Sequence, residues 1–311
     1  MRIAILGGAG FIGTNLVEML AKQDHEIAVI DNLSMGNRLK DADINVQITV
    51  GDIADPLVLD KFLRNFSAEK IYHLAANSDI KNSAANSSFD MKNTLLTTSS
   101  LMNYAYSNGI KELVFASSSA IYGLAQDKSK EDDVSAPISA YGWTKLASEQ
   151  LLMQASAQGC IEKLLIARFP NVTGMWQTHG VVFDLLNRLK RNNNILDVLG
   201  DGNQEKPYVL ASELVEALEK LIAHQWLGTK VINLSPSSAT SVRKIVEIIC
   251  KATGLSPMVR YGDTPFGWTG DIPSYQLDTT RSLEYLSDFP FITSDAAIEK
   301  AVDWFWGYLH A

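Results

Sequence analysis

Tyr141 and Lys145 stand four residues apart in Tyr141-Gly142-Trp143-Thr144-Lys145. On a helix that spacing places both side chains on one face, with Cβ atoms roughly 6 Å apart. An ammonium beside a phenol favours the phenolate, so the spacing predicts a tyrosine more acidic than its usual ~10. Such a hydroxyl takes or gives a proton near neutral pH. The pair also arises by chance in many helices, and its weight comes from what precedes it. Leu113 to Gly123 reads as a buried strand running into Ser117-Ser118-Ser119. A serine there shares a substrate hydroxyl proton with Tyr141, or simply ends the strand in a turn.

The other constellation is near the start. Gly7-Gly8-Ala9-Gly10-Phe11-Ile12-Gly13 follows one short apolar run and opens a helical pattern, with glycines at 7, 10 and 13. Glycines let a pyrophosphate approach the backbone, and the free N–H groups of the helix start face it with partial positive charge. Asp31 ends the next expected strand. A carboxylate there accepts from adenosine ribose hydroxyls and repels a 2′-phosphate, which favours NAD over NADP. The plainer reading of Asp31 is a polar strand end in an acidic protein. Asp52, in Val50-Gly51-Asp52-Ile53, faces an adenine edge or ends a strand.

These residues need a frame. Apolar runs predict strands at 2–6, 26–30, 46–50, 70–74, 112–117 and 162–167. Helical periodicity predicts helices at 11–22, 56–66, 90–108 and 143–158, with Gly109 and Gly159 at C-caps. Strand–helix alternation implies a parallel, doubly wound α/β sheet, whose ligands bind beyond the carboxyl ends of the strands. The second half predicts helices near 181–191, 211–224, 241–253 and 295–309. A strand at 230–234 would return to the main sheet, so the division is interleaved: residues 1–170 with 207–238 for the dinucleotide, 171–206 and 239–311 for substrate. Trp304, Phe305, Trp306 and Tyr308 read as the packed face of the last helix.

Composition fits a folded protein of 311 residues: 46% hydrophobic, 20% charged, net charge −8. An acidic chain without a Lys/Arg block is poorly suited to gripping nucleic acid. Cys160 and Cys250 form no CxxC pair and read as buried thiols in a reducing compartment, with no metal site. The N-terminal apolar run is too short for a signal peptide and no stretch suits a membrane span, so a cytoplasmic protein is expected.

Taken in order, the motifs resemble the extended short-chain dehydrogenase/reductases of the NAD-dependent epimerase/dehydratase group, UDP-glucose 4-epimerases above all. They are Gly7–Gly13, Asp31-Asn32-Leu33-Ser34, Gly51-Asp52, His73-Leu74-Ala75-Ala76, Asn93, Ser117–Gly123, Tyr141–Lys145, Arg168–Gly174, Gly200–Gln204 and Gly270–Pro273. The resemblance implies a Rossmann-type sheet with a smaller C-terminal substrate domain. It implies Tyr141 as proton acceptor, Lys145 holding the nicotinamide ribose, and Ser118 as the catalytic hydroxyl with Ser119 its rival. NAD would be lined by Gly7, Gly10, Phe11, Ile12, Gly13, Asp31, Asn32, Ser34, Gly36, Asp52 and Ile53. Leu74, Ala75, Ala76, Asn93, Ser117 and Val172 complete that lining. Ser78, Ser118, Ser119, Asn171 and Lys206 would meet a nucleotide sugar. His73 reads as structural.

Two departures stand out. A basic residue often precedes the Gly-Asp pair, where this chain has Phe266-Gly267-Trp268-Thr269. The usual diphosphate-facing arginine is Lys206, which lacks a bidentate fork. Arg188, Arg191 and Arg260 are candidate replacements. The leading expectation is a nucleotide-sugar 4-epimerase, an isomerase. A nucleotide-sugar 4-keto reductase, or another nucleotide-sugar-modifying enzyme of the same family, is the alternative, and a non-catalytic NAD-sensing regulator is the alternative of another class. Dehydration is disfavoured, because Ser119-Ala120 stand where dehydratases carry Asp-Glu. Apolar residues beyond one stripe on 90–108 and 143–158 (Leu95, Leu96, Leu101, Met102; Leu146, Leu151, Leu152, Met153) suggest a homodimer, or a sheet cover.

Overall fold

A computed structural model describes residues 1–77, 86–124, 128–268 and 270–310. The strands are β1 (Arg2–Leu6), β2 (Glu26–Asp31), β3 (Gln47–Val50), β4 (Lys70–His73), β5 (Ile110–Ala116), β6 (Ile161–Arg168), β7 (Asn171–Thr173), β8 (Ile195–Val198), β9 (Glu205–Lys206), β10 (Tyr208–Leu210), β11 (Gly228–Asn233), β12 (Thr240–Ser241) and β13 (Met258–Tyr261). The helices are α1 (Phe11–Leu20), α2 (Arg38–Asp41), α3 (Pro56–Phe66), α4 (Ser87–Asp90), α5 (Thr97–Asn108), α6 (Ala140–Ala157), α7 (Val181–Arg191), α8 (Ala211–Ala223), α9 (Val242–Thr253), α10 (Thr280–Leu283) and α11 (Ser294–His310).

Seven strands form one sheet in the order β11-β6-β5-β4-β1-β2-β3. All its pairings are parallel. The expected Rossmann-type sheet is present, and the strand expected at 230–234 returns to it beside β6. Ile3 to Leu6 are all buried, as they must be in a strand covered on both faces. The winding reverses between β1 and β4, which opens a crevice at their carboxyl ends. One apolar core packs α1 and α8 on one face, and a second packs α3, α5 and α6 on the other. A third lies apart from the sheet among α7, β8, β10, α9 and α11. Trp304 and Phe305 pack edge-on against Trp176 and Phe183, so the aromatic end is largely packed, while Tyr308 is exposed.

Local signals account for the boundaries. Asp55 caps α3 through Leu57 N, with Pro56 in the first turn. Ser139 caps α6 through Gly142 N at 3.1 Å. Gly109 ends α5 at φ 72°. The single helix expected at 90–108 is instead α4, a π-helical turn over Met91–Leu96, and α5. Thr97 and Thr98 hydroxyls bond back to carbonyls of Asn93 and Thr94 inside that turn. Cys160 and Cys250 are free thiols, half-buried rather than buried. Among the described residues, no helix is long and apolar enough to cross a membrane.

Candidate active site

The crevice is a cavity of about 570 Å³ at the carboxyl ends of the central strands, walled on its other side by α7, β8, Gly267, Trp268, Gly270 to Ile272 and Tyr275. The glycine loop forms one end. Gly7 has φ +80°, and a Cβ there would lie 2.7 Å from the Ala75 backbone. A Cβ on Gly13 would lie 2.5 Å from Gly7 O and 2.6 Å from Gly8 Cα. These two glycines let loop, helix and β4 close together. Gly10 differs: its Cβ would meet only Gly7 O, at 3.6 Å. It stands at the N-cap of α1 with no side-chain cap, facing the cavity. That is the cradle a dinucleotide phosphate requires.

Asp31 lies beside it. Its Oδ2 accepts from Ala9 N at 3.0 Å and its Oδ1 from Leu33 N at 2.8 Å. Burial raises its pKa above the ordinary value, and the two backbone donors oppose the rise. The carboxylate is thus fixed at the cavity wall with lone pairs left for hydroxyl donors.

At the centre, Tyr141 and Lys145 project from one face of α6. Lys145 Nζ donates to Ala116 O at 2.6 Å and lies 4.9 Å from the Phe115 ring centre. The Tyr141 hydroxyl is hydrogen-bonded to Ser118. Ser118 Oγ also accepts from Ala120 N at 3.1 Å, which fixes the side chain. Ser118 therefore partners the tyrosine, while Ser119 bonds the Tyr275 hydroxyl. The expected acidification of Tyr141 is corrected here. Burial pushes the phenol up to about 12, the Ser118 bond opposes this, and the charge of Asp90 adds to it. Burial likewise brings Lys145 down to about 7, with Glu149 opposing. Desolvation outweighs the neighbouring charge in the protein by itself. His73 is wholly buried, bonds Thr98 Oγ1 at 3.0 Å, and is held neutral by burial and by Lys145, down to about 3. It has the structural place expected of it.

The far wall carries Asn171 and Val172 on β7. The Asn171 side chain bonds Tyr208, and its backbone N–H donates to Tyr275. Lys206 lines the cavity, but its Nζ is 2.5 Å from Oδ1 of buried Asp271 and 4.9 Å from the Trp268 ring centre. Its charge is already matched. Of the three arginines considered as replacements, only Arg188 lines the cavity, with Nη1 bonded to Asp197 O. Arg260 pairs with Asp197 at 2.7 and 3.0 Å outside it, and Arg191 is exposed.

Every residue expected at cofactor or substrate lines this cavity except Asp52 and Ser78. Asp52 lies off the wall, paired with Lys92 at 2.9 Å. Ser78 falls outside the described residues, as does Thr269. Sequence reasoning missed Thr97, Gln177–Val181, Tyr208 and Tyr275 on the wall, and Glu149 beneath it. The segment 174–180 carries positive φ at Gly174, Trp176 and Gly180. Its paired glycines were the one available signal.

The profile of the NAD dependent epimerase/dehydratase family matches residues 3–235. A putative UDP-glucose 4-epimerase of Methanocaldococcus jannaschii is 28% identical, covering 97% of each chain. A UDP-N-acetyl-alpha-D-glucosaminuronate decarboxylase of Bacillus cytotoxicus is 25% identical over 98% of this chain and 97% of its own. Among solved structures, MoeE5 in complex with UDP-glucose and NAD superposes with a TM-score of 0.87 at 28% identity, covering 99% of this chain and 100% of its own.

Proposed function

This chain belongs to the NAD-dependent epimerase/dehydratase family, and on that premise we propose that it is a nucleotide-sugar 4-epimerase. One observation carries the reading: a buried tyrosine, hydrogen-bonded to Ser118, shares one cavity with the glycine cradle and Asp31. The cradle, the uncapped start of α1 and the single carboxylate fit NAD. NAD, when bound, accepts a hydride at its nicotinamide ring and gives it back.

The chain supplies the rest. Tyr141 Oη takes the proton of the sugar C4 hydroxyl as the C–H bond breaks, and Ser118 Oγ orients that hydroxyl. Lys145 holds the nicotinamide ribose and places its positive charge near the developing phenolate. The resulting 4-keto sugar turns over between the walls formed by Asn171, Tyr208 and Tyr275. Tyr141 then returns the proton on re-reduction at the opposite face. Ser119 and Ala120 beside Ser118 carry no carboxylate, which disfavours loss of water, and Asp31 disfavours the NADPH expected of a reductase. Arg188 and Asn171 receive the nucleotide diphosphate, and Lys206, held by Asp271, lines the wall beside them. The interleaved division into cofactor and substrate parts belongs to the same reading.

A homodimer through α5 and α6 is also proposed. Leu101, Met102 and Leu152 are spent against the sheet, so its support is narrower: Leu96 in the turn before α5, Tyr106 on α5 and Trp143 on α6 are exposed. Sedimentation as a monomer at micromolar concentration contradicts it.

The test of the activity is to release and identify the bound cofactor, then follow UDP-, GDP-, CDP- and dTDP-sugars by NMR. Interconversion of C4 epimers without consumption of added cofactor supports the reading. Loss of water or carbon dioxide, or net reduction of a keto sugar, overturns it.

A further inference from the structure

Glu149 lies one turn beyond Lys145 on α6, and its side chain is 0% exposed. Lys145 and Glu149 engage consecutive residues at the end of β5. Lys145 Nζ reaches Ala116 O, and the Ser117 hydroxyl donates to Glu149 Oε1. Arg168, the last residue of β6, closes a fork on the same carboxylate, with Nε to Oε1 at 3.0 Å and Nη2 to Oε2 at 2.7 Å. Its Nη1 is used elsewhere, on Glu131 O and the Tyr122 hydroxyl. One buried carboxylate therefore ties α6 to two strand ends directly under the cavity.

The hydrogen-bond partner of Lys145 is a neutral carbonyl. A buried ammonium without an opposing charge sheds its proton. Among the described residues, the groups facing it are His73 on β4, neutral, Phe115 and Ala116 on β5, and Tyr141 and Glu149 on its own helix. Asp90 on α4 bears on Tyr141, and Arg168 reaches Lys145 only through Glu149. Resting on the role proposed for Tyr141 and Lys145, we propose that Glu149 is a positioning residue, the buried counter-charge of Lys145, which also holds Ser117 and Lys145 in register beneath the reacting hydroxyl. In agreement, Glu149 opposes the fall that burial imposes on Lys145.

A purely structural tie would affect stability alone. The test compares wild type, Glu149→Gln, Glu149→Asp, Arg168→Gln and the doubly neutral Glu149→Gln/Arg168→Gln, which leaves no unpaired buried charge should the single variant fail to fold and is read against Arg168→Gln so that the loss of the guanidinium cancels. Two quantities are followed across the neutral and alkaline range: the NAD dissociation constant and kcat/KM for C4 interconversion. With Glu149 neutral, Lys145 loses its proton at lower pH. The alkaline decline of both quantities then moves down by about one pH unit, about tenfold at a fixed pH on that limb, and Glu149→Asp restores it. A folded Glu149→Gln variant that keeps the wild-type limb in both quantities, or a double variant that keeps the Arg168→Gln limb, overturns the proposal, whatever the melting temperatures. If wild type binds NAD but converts no nucleotide sugar, the proposed activity fails, while the NAD-binding limb still decides the role of Glu149.

Discussion

Lys145 Nζ lies 5.9 Å from the centre of the Tyr141 ring and gives its hydrogen bond to Ala116 O, not to the phenol. The two groups are neighbours without being partners. Ser118 is the group bonded to the phenol, and burial keeps that phenol protonated at neutral pH in the protein by itself. Proton acceptance at Tyr141 thus requires charge brought into the cavity together with the ligands, which suits a residue meant to act only in the complete assembly.

Gly10 and Gly13 separate cofactor binding from folding. Gly13→Ala drives a Cβ into the backbone of Gly7 and Gly8, so it lowers stability by about 1–3 kcal/mol. Gly10→Ala meets no such obstacle. It is expected to keep the wild-type denaturation midpoint while NAD affinity drops. Parallel denaturation and NAD titration check both.

His73 makes stability depend on pH. Its folded pKa of about 3 lies below the ordinary 6.5. Below pH ~6.5 the unfolded chain binds a proton that the folded chain refuses, so stability is lost as pH falls from there towards 3. The loss is on the order of 4 kcal/mol across that window. Denaturant titrations of His73→Gln should show a shallower acid-side decline than wild type; equal slopes contradict the assignment.

Arg188 lines the cavity with its Nη1 on a backbone carbonyl, Asp197 O, whereas Lys206 is bound to the Asp271 carboxylate. Arg188→Gln is expected to raise KM for the nucleotide sugar by roughly tenfold or more, with kcat and NAD affinity little changed. Exposed Arg191→Gln should leave all three as they are. Steady-state kinetics with both variants decide it.

The sheet was legible because each central strand is a short apolar run bounded by turn residues, and the cavity because its glycines, Asp31, Ser118 and Tyr141–Lys145 all sit at strand or helix ends. The two- to four-residue strands β7, β8, β9, β10, β12 and β13 carry too few residues for a period to show. The π-helical turn depends on hydroxyl bonds that a helical pattern hides. Glu149 looks like a solvated helix residue until Arg168 of β6 covers it. Lys206 looks like a free phosphate ligand until Asp271, far along the chain, meets it. The Tyr141–Lys145 spacing was visible in the sequence, but the burial that sets Tyr141 was not.

Tyr141→Phe tests the central claim most directly, by measuring C4 interconversion of a nucleotide sugar and retained NAD on the same sample. The account predicts wild-type NAD content with turnover reduced by about 10²–10⁴. A phenylalanine variant that interconverts the epimers at the wild-type rate would contradict it.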